Sequence, residues 1–376
     1  MPGGSSSYPP TPQPCLPDYA GGCIANVNPA LRNRADGIPN WMPEPVAGAT
    51  QVVLLVLDGL GWDQLRARSV HAPFLSAMAG GPITSVAPTT TATALTSITT
   101  GLPPAGHEIL GYRLRVEETE VLNVLRWRTA AGDARDLVDP QLFQRQAAFG
   151  GTSPVVVTRA EFGPTGFTIA HLPEVRLDGW RVASSLPVIV GRALRLGEPF
   201  VYAYYDGIDK IAHEQGFGDF YDAELHYVDH LVAEVAAQLP AGAVLVITAD
   251  HGQVEVGDAT IVLTESILES TSLVSGEGRF RWLHAQPGAT EALRAAAEAE
   301  FGAVAWVRTV DELEADGWFG GPLSDAGRHR LGDVALIPFA SVAIVDPADT
   351  GEFVLRCRHG SATAAEMYVP LLAHRA

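Results

Sequence analysis

The chain has 376 residues, of which 47% are hydrophobic, and its formal net charge is −18. This length and composition suffice for one large α/β domain, or for a core domain with an insertion, and they exclude global disorder. The acidity argues against a nucleic-acid polymer as partner, because that would require clustered Lys and Arg. Small anionic substrates are not excluded, because bound cations reverse the local charge.

Residues 1–48 contain Pro and Gly throughout and are predicted to form an extended N-terminal lead-in. The first residues lack the basic start and apolar stretch of a signal peptide, and no apolar run reaches the length of a membrane span. The three cysteines, Cys15, Cys23 and Cys357, are an odd and low number that is typical of a reducing compartment. We therefore expect a cytoplasmic protein with no membrane partner.

From residue 51 onward, continuous apolar runs alternate with amphipathic segments. The runs predict strands over residues 51–57, 82–87, 199–205 and 243–248, and the segments predict helices over residues 62–79, 90–100 and 222–239. This alternation predicts an α/β fold with a mostly parallel central sheet and helices on both faces. Residues 49–256 and 346–376 are predicted to form this catalytic core.

Residues 257–345 have a different pattern, with shorter and less apolar runs. Strands are predicted over residues 259–263, 279–283, 304–307, 334–338 and 341–345, and a helix over residues 289–301. We interpret the segment as an inserted α+β region, partly a cap over the site and partly an added sheet edge. The chain is predicted to return to the core through residues 353–358.

Several Asp and His residues follow the predicted core strands, where ligands bind in open α/β sheets. The set comprises three carboxylates and three imidazoles: Asp58, Asp209, Asp250, His213, His251 and His359. Such ligands suit two divalent metal ions, most readily Zn²⁺, with Mn²⁺ or iron as alternatives. Each motif alone has a structural explanation, such as a helix cap or a polar helix face. Their combination in one chain favours a metal site. Gly252 is expected to supply backbone freedom for the turn at Asp250-His251.

A nucleophile for chemistry at two metals would be a hydroxyl group beside them. Thr89, Thr90 and Thr91 lie at the start of the helix predicted from residue 90, where backbone N–H groups and the positive helix end favour anions. The structural alternative is that one of them merely caps the helix. Composition alone does not choose among the three.

Taken together, the motifs resemble the alkaline phosphatase superfamily, and within it the type I phosphodiesterase/nucleotide pyrophosphatase family. The resemblance rests on residues 53–59, 87–93, 100–107, 209–213, 249–252 and 358–360. It implies an alkaline phosphatase-like fold with Thr91 as the nucleophile. It also implies one zinc ion held by Asp209, His213 and His359. The second would be held by Asp58, Asp250, His251 and Thr91.

The sequence departs from the family pattern at two positions. Ala94 stands where nucleotide pyrophosphatases carry an Asn that helps to hold a phosphate oxygen, and Glu108 stands where the family has Gly after a His. The resemblance implies that backbone N–H groups, the metals or another side chain take over the role of the missing Asn. Both departures concern substrate identity more than reaction type.

The implied reaction is hydrolysis of phosphodiester or pyrophosphate bonds in small anionic phosphoester substrates, nucleotides among them, through a phosphothreonine intermediate. Phosphomonoester or phosphonate hydrolysis at the same site is an alternative, and a non-catalytic metal-binding or interaction protein is an alternative of another class. Sulfatase activity is disfavoured because no Cys-x-Pro-x-Arg segment is present. The candidates for substrate binding are Lys210, Arg113, Tyr112 and Tyr205.

Overall fold

The computed structural model describes residues 11–349 and 355–376. In these residues the helices are α1 (Ile24–Arg32), α2 (Trp62–Ala67), α3 (Pro73–Ala77), α4 (Thr91–Thr100), α5 (Pro104–His107), α6 (Pro140–Phe143), α7 (Gly166–His171), α8 (Leu186–Arg195), α9 (Gly207–Gln215), α10 (Asp219–Ala236), α11 (Glu265–Glu269), α12 (Thr290–Phe301), α13 (Val310–Ala315), α14 (Asp325–Arg330) and α15 (Ala364–Met367). The strands are β1 (Val52–Leu57), β2 (Ala79–Thr84), β3 (Arg113–Arg115), β4 (Val121–Asn123), β5 (Arg128–Thr129), β6 (Gly132–Asp133), β7 (Val155–Val157), β8 (Arg176–Leu177), β9 (Phe200–Tyr205), β10 (Val244–Thr248), β11 (Val254–Glu255), β12 (Thr260–Val262), β13 (Thr271–Glu277), β14 (Phe280–Ala285), β15 (Ala305–Thr309), β16 (Val334–Pro338), β17 (Ala343–Val345), β18 (Cys357–Arg358) and β19 (Tyr368–Arg375).

The central sheet of the described residues has seven strands in the order β2-β19-β10-β1-β9-β7-β8. Neighbouring strands from β10 through β8 are parallel, whereas β19 is antiparallel to both β10 and β2. Strands β1, β9 and β10 are buried along their whole length, because helices cover both faces of a parallel sheet. The fold is therefore α/β with a mostly parallel central sheet, as the sequence predicts.

The region between β12 and β17 contains a four-stranded antiparallel sheet in the order β13-β14-β16-β15. Its apolar side chains form a second hydrophobic cluster with helix α12, which includes Leu283, Leu293, Phe301 and Leu336. The division of the chain into a lead-in (1–48), a catalytic core (49–256 and 346–376) and an inserted region (257–345) stays our proposal.

Three local predictions require correction. The helix predicted over residues 62–79 is two short helices, α2 and α3, separated by a 3₁₀ turn at Ser69–His71, and strand β2 begins at Ala79 rather than residue 82. Pro73 explains the break, because proline starts a helix readily and cannot continue one. The stretch predicted as an extended lead-in contains helix α1, with Ile24, Val27 and Leu31 buried at helical spacing.

The chain rejoins the central sheet through β19, a strand that the sequence pattern does not predict. Strand β18 pairs with β11 instead, outside the central sheet. Residues 1–10 of the predicted lead-in, and residues 353–354 of the predicted return strand, lie outside the described residues. No helix in the described ranges combines the length and the apolar character needed to cross a bilayer.

Candidate metal centre

Three neighbouring parallel strands end at the same edge of the central sheet and deliver the three predicted carboxylates there. Asp58 follows β1, Asp250 lies two residues after β10, and Asp209 lies in the first turn of α9, which follows β9. Because β10, β1 and β9 are adjacent and parallel, their carboxyl ends meet, and residues far apart in sequence become neighbours.

The six predicted ligands form two clusters. Asp58, Asp250 and His251 bring one ligand atom each to within 4.8 Å of one another, and Asp209, His213 and His359 do the same. The imidazole rings of His251 and His359 stack with centroids 3.5 Å apart, so the clusters are adjacent.

Thr91 lies beside the first cluster, as the first residue of helix α4. Its Oγ1 is 3.1 Å from Nε2 of His251, and the residue is 8% exposed. The first helical hydrogen bond of α4 runs from the N–H of Ala94 to the carbonyl of Thr90. The preceding N–H groups lie at the positive end of the helix, directly next to the Thr91 hydroxyl.

The buried carboxylates each keep one oxygen without a hydrogen-bond partner. Oδ2 of Asp58 accepts from the Tyr204 hydroxyl, whereas its Oδ1 has no partner in the described residues. Oδ1 of Asp250 accepts from the N–H groups of Gly59 and His251, both at 3.0 Å, whereas its Oδ2 has none. The two free oxygens are those that lie 3.5 and 3.3 Å from Nε2 of His251. Buried acceptors without a partner reduce the stability of the folded protein unless a cation occupies the space between them.

All three histidines have their Nδ1 atom at a backbone carbonyl. His213 contacts the Cys357 carbonyl at 2.7 Å, His359 that of Thr89 at 2.8 Å, and His251 that of Gly252 at 3.0 Å. A carbonyl only accepts hydrogen bonds, so Nδ1 carries the proton and the neutral ring leaves its Nε2 lone pair free. This is the arrangement by which proteins orient histidine ligands of metals.

The electrostatics of the two clusters are unfavourable for ionised side chains on their own. Burial raises the pKa of Asp58 well above its usual range, and the carboxylates of Asp250 and Asp209 raise it further. Burial likewise lowers the pKa of His359 well below its usual range, with the adjacent imidazoles adding to the effect. Bound divalent cations would lower the pKa of Asp58 again, and they would bind His359 in the neutral form that its burial already favours, so the residues present fit two metal ions.

Two glycines allow close approach at the site. A Cβ atom on Gly252 would lie 2.0 Å from the Ala365 carbonyl oxygen, and one on Gly59 would lie 2.4 Å from the Gln253 amide. Gly59 also has a positive φ of 73°. Gly252 does not, so its predicted role as a source of backbone freedom is wrong: the glycine is required because another chain segment passes against it.

Several contacts around the ligands were not predicted. Gln253 donates from Nε2 to Oδ1 of Asp209 at 3.0 Å, and Tyr204 holds Asp58. Thr89 exchanges hydrogen bonds with the segment at His359, which fixes that segment against the start of α4. Gln253 could have been proposed from the sequence, because it directly follows the Asp250-His251-Gly252 motif. The contacts of Thr89 could not, because they depend on how the fold brings distant segments together.

A buried ion pair ties the hairpin of β13 and β14 to the segment that carries His359. Arg279 and Glu366 are both 0% exposed and pair through two contacts of 2.6 and 3.1 Å. Oε1 of Glu366 also accepts from the N–H of Ser361, two residues after His359. The hairpin therefore braces the loop that carries His359, in addition to the contacts that Thr89 makes.

The residues predicted to bind substrate all have partners within the chain. Lys210 Nζ lies 2.9 Å from Oδ2 of Asp206, and Arg113 pairs with Asp349. The Tyr112 hydroxyl accepts from Asn123 at 2.6 Å, and the buried Tyr205 donates to Glu224 at 2.6 Å. Their role in substrate binding stays a prediction.

Cys15, Cys23 and Cys357 are free thiols, and Cys357 contributes its carbonyl rather than its sulfur to the site.

Comparisons with known proteins place the chain in the alkaline phosphatase superfamily. Residues 52–314 match the sequence profile of the type I phosphodiesterase/nucleotide pyrophosphatase family, and the chain belongs to that family. Comparison with curated protein sequences gave no match.

Solved structures of similar fold include two enzymes of this superfamily. An inactive Thr-to-Ala variant of murine ectonucleotide pyrophosphatase/phosphodiesterase 5 in complex with AMP has a TM-score of 0.64 at 15% identity, covering 86% of this chain and 88% of that chain. Phosphonoacetate hydrolase from Sinorhizobium meliloti, in complex with phosphonoacetate, has a TM-score of 0.63 at 19% identity, covering 88% and 91%. At these identities the likeness concerns the fold alone.

Proposed function

We propose that the protein is a two-metal hydrolase that cleaves phosphodiester or pyrophosphate bonds of small substrates, nucleotides among them, with Thr91 as the nucleophile. The observation that carries the proposal is the position of the Thr91 hydroxyl. It lies at a helix start, 3.1 Å from the Nε2 atom towards which the two unpaired carboxylate oxygens also point.

The ligands proposed for one metal ion are Asp58, Asp250, His251 and Thr91. The second ion would be held by Asp209, His213 and His359. The mixed carboxylate and imidazole donors favour Zn²⁺, with Mn²⁺ or iron as alternatives. When bound, such ions neutralise charge on phosphoryl oxygens and lower the pKa of an adjacent hydroxyl.

The chain itself supplies the nucleophile and its orientation. In the first step the Thr91 Oγ attacks phosphorus in line, a P–Oγ bond forms, and the bond to the alcohol or nucleotide leaving group breaks. The phosphoryl group then resides on Thr91 until water attacks phosphorus, breaks the P–Oγ bond and regenerates the hydroxyl. Because Ala94 replaces the family Asn, we assign stabilisation of a phosphoryl oxygen to the free N–H groups at the start of α4 and to the metals.

The assignment of Thr91 is tested by Thr91→Ala in the metal-loaded protein, assayed with bis-p-nitrophenyl phosphate. We expect turnover to fall by several orders of magnitude while six protein ligands still bind metal. Thr96→Ala is the matched control, because Thr96 lies in the same helix and its side-chain hydroxyl donates to the Ala92 carbonyl, at 2.7 Å, rather than contacting either cluster. Unchanged turnover in Thr91→Ala would refute the assignment.

Phosphonate hydrolysis is a second candidate, favoured by the shared fold with a phosphonoacetate hydrolase. Parallel assays with bis-p-nitrophenyl phosphate, p-nitrophenyl phosphate, a dinucleoside pyrophosphate and phosphonoacetate separate the candidates. We expect the diester or the pyrophosphate to be the best substrate. Equal or faster turnover of the monoester would indicate a phosphomonoesterase, and two bound metals without turnover of any substrate would indicate a non-catalytic protein.

We further propose a cytoplasmic location, on the small and odd number of cysteines, all of them free thiols. The net charge of −18 argues against a nucleic-acid polymer as partner, and we propose a small anionic substrate held by the metals instead. Fractionation of the native cells tests the location: recovery of the protein outside the cytoplasmic fraction would refute it.

A further inference from the structure

Helix α10 carries two exposed histidines, His226 and His230, four residues apart, which belong to neither of the two clusters described above. Their Nε2 atoms are 3.3 Å apart, with ring centroids separated by 4.6 Å and the rings perpendicular. Residues four apart lie on the same face of a helix, and two histidines at this spacing are a recurrent way to bind zinc on a helix.

The separation of the two nitrogens suits a shared metal ion. Zinc–imidazole bonds of about 2.0–2.1 Å at a tetrahedral angle place the two nitrogens about 3.3 Å apart. The observed separation of 3.3 Å has this value. Without a metal, the same contact serves as an N–H···N hydrogen bond, so an incoming ion replaces the proton between the rings.

Other polar side chains lie near His226. Asp222 lies one helical turn before His226, and His71 belongs to the 3₁₀ turn Ser69–His71, which packs against α10. His71, Asp222 and His226 line one hollow of about 450 Å³, together with Asp219 and Ala223. His71 Nε2 lies 3.7 Å from Oδ2 of Asp222, whereas Oδ1 of that carboxylate accepts from Arg68 at 2.9 Å. The Asp222 carboxylate is thus shared between Arg68 and His71.

We propose that His226 and His230 bind a third divalent metal ion at the protein surface, with water in the remaining coordination positions. Imidazole-rich ligand sets select borderline transition metals such as Zn²⁺, Ni²⁺ or Cu²⁺ over Mg²⁺ and Ca²⁺. The ion links two successive turns of α10, and it stabilises the folded protein because the unfolded chain does not hold the two imidazoles together. This proposal does not depend on the proposed function.

The test is a Zn²⁺ titration of the metal-free full chain, with bound metal measured per protein. We expect three equivalents for the unaltered protein and two for His226→Ala/His230→Ala, with unchanged phosphodiester turnover. Alanine is the best helix former, so α10 is retained, which circular dichroism verifies. His329→Ala, which removes an exposed histidine elsewhere, is the matched control and is expected to keep three equivalents.

A second background separates this site from the proposed active site. In Asp58→Asn/Asp209→Asn, which removes a carboxylate from each cluster, we expect one tight equivalent to remain. That equivalent should disappear when His226 and His230 are also replaced by alanine. If it is absent from the first variant, or if it persists in the second, the proposal is overturned whatever the outcome at the active site.

Discussion

Replacement of Arg279 by Met should destabilise the protein far more than an ordinary surface change. The substitution leaves the fully buried Glu366 carboxylate without its positive partner, while only the Ser361 N–H and the Thr363 hydroxyl still donate to it. Breaking one half of a buried ion pair costs about 3–5 kcal/mol, because the remaining charge has no compensation.

The double variant Arg279→Met/Glu366→Gln should cost less than the single variant. Both charges are then gone, and the glutamine still offers an acceptor for the Ser361 N–H. The remaining loss is the donor to the carbonyls of Ala340 and Val342, which lie 2.5 and 2.8 Å from Arg279 Nη1. At about 1 kcal/mol for each hydrogen bond, the double variant should lose about 2 kcal/mol.

Urea unfolding of the metal-free proteins measures the difference, provided that the m-values agree. We expect the double variant to be more stable than Arg279→Met by about 1–3 kcal/mol, the gap between the two costs above. Equal stability of the two variants, or a loss below about 1 kcal/mol for Arg279→Met, would refute the reasoning that charge compensation holds this loop.

Gln253→Ala removes the amide that donates a hydrogen bond to Oδ1 of Asp209. Loss of a contact that orients a metal ligand should weaken metal binding about 10–100-fold, as measured by competition with a chelator. An unchanged dissociation constant for the metal would contradict this prediction. Burial lowers the pKa of His107 to about 3, so below pH 6.5 the unfolded chain binds the extra proton and stability falls as pH falls. His107→Gln should therefore reduce the slope of the unfolding free energy against pH by about 1.4 kcal/mol per pH unit between pH 6 and 4, as measured by urea unfolding at each pH. An unaltered slope would show that the His107 ring is already protonated in the folded state.

The parts of the site that the sequence predicts are those set by strand ends. Apolar runs identify β1, β9 and β10, and a parallel sheet places their carboxyl ends together, so the convergence of Asp58, Asp209 and Asp250 follows from topology. The start of α4 was likewise predicted to within one residue. These features depend on continuous local patterns, which a sequence displays directly.

The parts that the sequence does not predict depend on approach between segments far apart in the chain. The Tyr204 hydroxyl reaches Asp58 across neighbouring strands, and Arg279 reaches Glu366 from a hairpin 87 positions away. Strands β3 to β6 are only two or three residues long and leave no periodic pattern. Strand β19 contains Pro370, which argues against a central strand, although the strand in fact lies between β2 and β10.

The most direct test of the account is anomalous diffraction from crystals of the zinc-loaded protein. We predict two strong peaks beside Thr91, one contacted by Asp58, Asp250 and His251, and the other by Asp209, His213 and His359. A zinc-loaded crystal without density between these side chains, or with the Thr91 hydroxyl directed away from both ions, would contradict the proposed catalytic centre.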